Sequence, residues 1–200
     1  MKNSMRAKST MWWTAWLLAM LLAPSLAQAH VGAGQTNGIL NGLAHPVFGF
    51  DHVAAMVAVG LWAAQRGGRA VWVVPLSFMT AMSAGGAIGA AGIPIPFVEP
   101  GIAASVLVLG LLIAAAVQLP LLTSSVLVGL FAVFHGHAHG AEMPETVSGL
   151  AYGIGFVLAT GLLHGCGIGL GMLARRWARP FLVRLAGGAT VAFGVYLFIS

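Results

Sequence analysis

Acidic residues are nearly missing from this sequence: Asp51, Glu99, Glu142 and Glu145 are the four present among 200 positions. Charged residues of both signs make up only 6% of the chain, whereas 59% of positions are hydrophobic. Water-soluble domains need a more polar surface, so this scarcity excludes an ordinary soluble enzyme or scaffold and indicates a membrane protein. Cysteine is scarcer still. Cys166 stands alone, which excludes an intramolecular disulfide and a cysteine-based structural zinc site. Glycine is plentiful, but no glycine loop follows a strand or carries the lysine of a phosphate-binding motif, so no ATP site is implied. The net charge of +5 rests on nine Lys and Arg in short clusters between apolar runs. That arrangement reads as a topology signal and not as a nucleic-acid-binding face.

Residues 1–29 begin with Lys2, Arg6 and Lys8, continue through an apolar core at 11–22 and the breaker Pro24, and end on Ala27-Gln28-Ala29. This pattern predicts a secretory signal peptide cleaved before His30, because the apolar core is short for a full crossing. The mature domain would span 30–200. Its new α-amine and the His30 imidazole would then lie on the far side of the membrane, where they could help capture a divalent metal ion.

The rest of the chain predicts an all-α, polytopic bundle of six transmembrane helices near 45–65, 70–91, 98–118, 121–140, 147–174 and 180–199. With the mature N-terminus outside, Arg66, Arg69, Arg175, Arg176, Arg179 and Arg184 all fall on the cytoplasmic side. The opposite orientation would break the positive-inside rule throughout. Small residues predict close helix approach. Gly161, Gly165 and Gly169 form one stripe, Gly167 and Gly171 another, Gly149 and Gly153 a third, and positions 83–91 are almost wholly small.

Two polar motifs interrupt this apolar background. The first is HPVFGFDH, residues 45–52. Pro46 suits the first turn of a span, which puts His45 at the outer mouth and Asp51 and His52 about 9–10 Å deeper. Two histidines seven residues apart share a helix face but are too distant to ligate one ion on a straight helix, since metal–nitrogen bonds are about 2 Å. Either Pro46 and Gly49 loosen the first turns, or the motif supplies successive stations along an inward path. The second motif is FHGHAHGAE, residues 134–142. His135, His139 and Glu142 fall on one helical stripe at the same outer end, and His137 points the other way, as expected of a loop-facing residue. Ionisable groups at membrane depth face cavities and carry function. His164 is either a packed histidine bonded to a backbone carbonyl or a third station. Cys166, Met79, Met82 and Phe134 read as packing, Glu99 as interfacial and Glu145 as a loop charge.

Imidazole nitrogen with carboxylate oxygen suits nickel, cobalt or zinc, whereas monovalent copper would call for clustered sulfur. Both motifs match a family pattern, H-P-x-x-G-x-D-H and F-H-G-x-A-H-G-x-E, at every fixed position. On these the chain resembles the HupE/UreJ proteins. The resemblance implies a small non-ATP permease of the bacterial inner membrane that imports nickel, or cobalt, for hydrogenase or urease maturation. It implies no catalytic residues and no permanently bound cofactor, and it points to His45, Asp51, His52, His135, His139 and Glu142 as functional positions, with His30 a further candidate ligand. Partners are the metal ion and membrane lipid, without nucleic acid; a homo-oligomer is compatible with the sequence but not specified by it. The rival readings are an intramembrane zinc hydrolase using the same His and Asp residues and a haem protein with histidine axial ligands.

Overall fold

The computed structural model describes residues 38–143 and 147–200, so His30, Glu145 and the predicted signal segment lie outside it. The described residues are helical, with no strand among them. The helices are α1 (Gly38–Phe48), α2 (Phe50–Arg66), α3 (Ala70–Ala90), α4 (Val98–Ala114), α5 (Leu121–Ala141), α6 (Gly149–Arg176) and α7 (Pro180–Ile199). Helix is what a long apolar run must adopt in lipid, because each backbone N–H and C=O must be satisfied within the segment.

Four helices, α3, α5, α6 and α7, are long and apolar enough to cross a membrane. α1 and α2 qualify as a pair bent by 87°. α4 has 17 residues, about 25 Å at the helical rise. The entry to the first span differs from the sequence expectation. Pro46 does not open a helix at 45. It lies inside α1, and the chain breaks three residues later at Gly49, whose backbone is extended (φ −96°, ψ 105°). The position suits glycine, since a Cβ on Gly49 would come to 3.0 Å from both Asp51 Oδ1 and His52 Nδ1, and the packing of α1 on α6 through Gly42 leaves it as the place where the chain turns. The bend folds the two halves of the motif toward each other.

Seams of small residues hold the bundle. α5 presses on α3 at Gly136, where a Cβ would sit 1.9 Å from the Met82 carbonyl oxygen. α2 and α6 meet at Gly60 and Gly167, and α4 meets α7 at Gly110 and Gly187. The expected stripe Gly161/Gly165/Gly169 is not a seam throughout: Gly165 and Gly169 have no neighbour within 4 Å, and the neighbouring pair Gly167/Gly171 makes the contact with α2. Periodicity identifies small faces, but only the position of the neighbour selects among them.

The six arginines of the described residues gather at one end of the bundle, and three of them tie helices together. Arg66 donates to Ser124, Arg175 to the Ala64 carbonyl at 3.0 Å and Arg184 to the Ala114 carbonyl at 2.8 Å. Gln65 and Trp62 donate to Ile113 and Val117 carbonyls, each at 3.1 Å. Asp51, Glu99 and Glu142 occupy the opposite end, at the starts of α2 and α4 and the close of α5.

Candidate metal centre

α5 runs helically through the whole HGHAHG segment to Ala141 and ends with Glu142 as its C-terminal cap. The segment is not a solvated histidine loop. His135, His137 and His139 are all buried, at 0%, 9% and 4% exposure. His137 faces away from the other two, as its helical phase predicts, but it is packed: Nε2–H donates to the Ile93 carbonyl at 2.8 Å in the α3–α4 connection.

The bend at Gly49 brings His45 beside the end of α5. Donor atoms of His45, His139 and Glu142 lie within 4.8 Å of one another, and His45 Nε2 stands 3.3 Å from Glu142 Oε2. Ligands on one octahedral ion with bonds near 2.1 Å are about 3.0 Å apart when cis and about 4.2 Å when trans. This trio therefore needs only a small closure to share an ion. His139 also contacts His52, with ring centroids 4.0 Å apart, and His52 contacts His135 at 4.6 Å. Imidazoles from both motifs thus form one continuous row.

Hydrogen bonds fix which nitrogen the His52 and His135 rings present. Asp51 Oδ1 accepts from the His52 backbone N–H and from Nδ1–H, both at 2.8 Å. His52 Nε2 is left as a buried lone pair with no partner among the described residues. Ser105 donates its hydroxyl hydrogen to the Ile102 carbonyl at 2.7 Å, so it must accept from His135 Nε2–H at 2.8 Å. His135 Nδ1 is then the bare nitrogen. A metal-binding histidine is prepared in this way, one nitrogen anchored as a donor and the other free to ligate. Neither nitrogen of the buried His139 has a partner among the described residues. Leaving so many buried lone pairs unsatisfied is costly in a finished core.

His45, Asp51, His52, His139 and Glu142 line one cavity of about 310 Å³, together with Gly49, Phe48, Ala138 and Glu99. At about 30 Å³ per water this holds roughly ten waters, or a divalent ion with part of its hydration shell. Three carboxylates face it and no arginine or lysine does, so the local field favours a cation. His135 is one ring deeper and fully buried.

Three contributors escape the motif reading. Glu99, interfacial as expected, also turns into the cavity. Ser105 sets the His135 tautomer. Tyr152 on α6 packs edge-on to His45 at 5.7 Å. A signal for the first two existed, since Glu99, Ile102 and Ser105 recur on one helical face. Phe134 packs over Gly101 of α4, as expected.

Long apolar helices enclosing a buried row of histidines with carboxylates at its mouth define a multi-pass helical membrane protein. The family model described as HupE / UreJ protein matches residues 18–197. The curated Protein HupE of Rhizobium leguminosarum bv. viciae is 47% identical over 172 residues, covering 86% of this chain and 90% of the relative. The chain belongs to the HupE/UreJ family. No solved structure matches it.

Proposed function

We propose that this protein is a secondary permease that imports a divalent transition-metal ion, nickel foremost and cobalt next, from the periplasm for metalloenzyme maturation. The observation that carries the reading is the convergence of His45, Asp51, His52, His139 and Glu142 on one cavity. In the proposed topology, α1–α2 form the first of six spans, α4 is a short third span, and the mature N-terminus beginning at His30 is periplasmic in a bacterial inner membrane. The arginine-rich end then faces the cytoplasm, in keeping with the positive-inside rule.

Glu99 and Glu142 attract the hydrated ion at the mouth. His45, His139 and Glu142 replace part of its water, and the bare nitrogens of His52 and His135 receive it deeper in the bundle. The donor set of imidazole and carboxylate suits nickel and cobalt. A porphyrin between facing histidines is disfavoured, because ring centroids 4.0–4.7 Å apart leave no space for it. No residue is assigned a catalytic role.

The test is accumulation of radioactive nickel and cobalt at trace concentration in cells lacking other uptake routes. Expression should raise uptake, and His139→Ala at matched protein level should return it to background. Equal accumulation with and without the protein would refute the permease.

A further inference from the structure

The row of histidines does not end at His135. The Phe78 ring, fully buried on α3, packs against His135 at 5.7 Å and also edge-on against His164 of α6 at 5.1 Å. His164 is 1% exposed. Its Nδ1–H donates to the Met56 carbonyl at 2.8 Å, which fixes the tautomer and leaves Nε2 as a buried lone pair with no partner among the described residues. Met56 lies four residues beyond His52 on α2, about 6 Å nearer the arginine-rich end. One turn before His164, the Thr160 hydroxyl donates to the Phe156 carbonyl at 3.0 Å and lies 3.6 Å from the Met82 sulfur in the α3–α6 contact.

Packing and the bond to Met56 account for the His164 ring and its Nδ1, but they give the buried Nε2 no partner among the described residues. His137 likewise anchors Nε2 on a carbonyl and leaves a buried Nδ1 with no partner among the described residues, but no ring contact among those residues joins it to the histidine row. His164 alone continues that row, past Phe78, in the direction an imported ion must travel.

We propose that His164 Nε2 is an inner metal station, separated from the His52–His135 group by the Phe78 ring and receiving the same divalent ion on its way inward. The inference rests on the permease reading. Phe78 is the barrier between outer and inner stations, and a rotation of its side chain brings the bare nitrogens of His135 and His164 into one path.

Two measurements on the full chain in proteoliposomes test this, with Co²⁺ alone as the probe. The first places His164→Cys in a Cys166→Ala background. A thiolate–Co²⁺ charge-transfer band is expected, because the ion must reach position 164 to meet that sulfur; no such band at saturating Co²⁺ overturns the proposal. The second uses His164→Gln, whose amide can still donate to the Met56 carbonyl but is a poor ligand. Co²⁺ binding at the outer cluster should stay within twofold of the parent while Co²⁺ entry slows at least tenfold. Entry at the parental rate, or loss of outer-cluster binding, would make His164 a packing residue. A parent protein that moves no Co²⁺ overturns the permease reading itself. Normal entry by the parent, none by His139→Ala and parental entry by His164→Gln would leave the permease standing and remove only the inner station.

Discussion

Gly136→Ala links the packing of the bundle to the proposed metal centre. The added methyl carbon would sit 1.9 Å from the Met82 carbonyl oxygen, where a carbon–oxygen contact normally needs about 3.3 Å. α5 must therefore retreat from α3 by about 1.4 Å, and the clash is with backbone, so no side chain can yield. The helix gains about 1 kcal/mol from replacing glycine by alanine. Overpacking costs about 3 kcal/mol at such a contact, for a net loss of about 2 kcal/mol. That is small enough for the protein to remain assembled. The proposed metal centre is less tolerant, because ligand distances must hold within about 0.2 Å. His135 and His139 flank position 136 on the same helix and move with it relative to His45 and His52 on the bent pair. A misplacement near 1 Å costs on the order of 100-fold in a preorganised site. The expectation is near-normal protein level with nickel or cobalt uptake reduced on the order of 100-fold. Gly169→Ala and Gly188→Ala, at positions with no neighbour within 4 Å, should leave uptake unchanged. Wild-type uptake by Gly136→Ala at wild-type level would refute the idea that the α3–α5 approach sets the ligand geometry.

Other perturbations probe the site directly. Asp51→Asn keeps an oxygen facing His52 but removes the charge that anchors the imidazole; metal affinity, read by equilibrium binding, should fall about 10- to 100-fold while helix content is unchanged. Ser105→Ala removes the acceptor that fixes the His135 tautomer, so uptake should fall by a similar factor, about tenfold or more, with outer-cluster binding retained. Glu99→Gln should raise the half-saturating metal concentration by at least about fivefold at low ionic strength, with the difference shrinking as salt is added. Lowering the external pH through the imidazole range should weaken uptake, because protonated imidazole offers no lone pair to the metal; initial rates across a pH series check the sign.

Much of the fold was legible because lipid enforces helix on any long apolar run. The expected spans at 70–91, 121–140 and 180–199 coincide closely with Ala70–Ala90, Leu121–Ala141 and Pro180–Ile199. The first span was not legible in the same way. Pro46 offered a local reason to start a helix, but α1 begins at Gly38 and packs its Gly42 against Tyr152 and Phe156 of α6. That contact is tertiary, and it leaves Gly49 as the place where the chain turns. The motif residues were identifiable from their chemistry and helical phase, which also set His137 apart. That both motifs lie at the same outer end and can meet was legible too; the way they meet was not, because it depends on an 87° bend between α1 and α2. Glu99 and Ser105 belong to no dense polar motif and join the site only through the placement of α4.

X-ray absorption spectroscopy at the nickel edge of the purified, Ni²⁺-loaded protein tests the central claim most directly. The account predicts a first shell of nitrogen and oxygen only, with the outer-shell scattering of two or more imidazoles, and loss of one imidazole in His139→Ala. A shell of water oxygens alone, or one unchanged by that substitution, would contradict it.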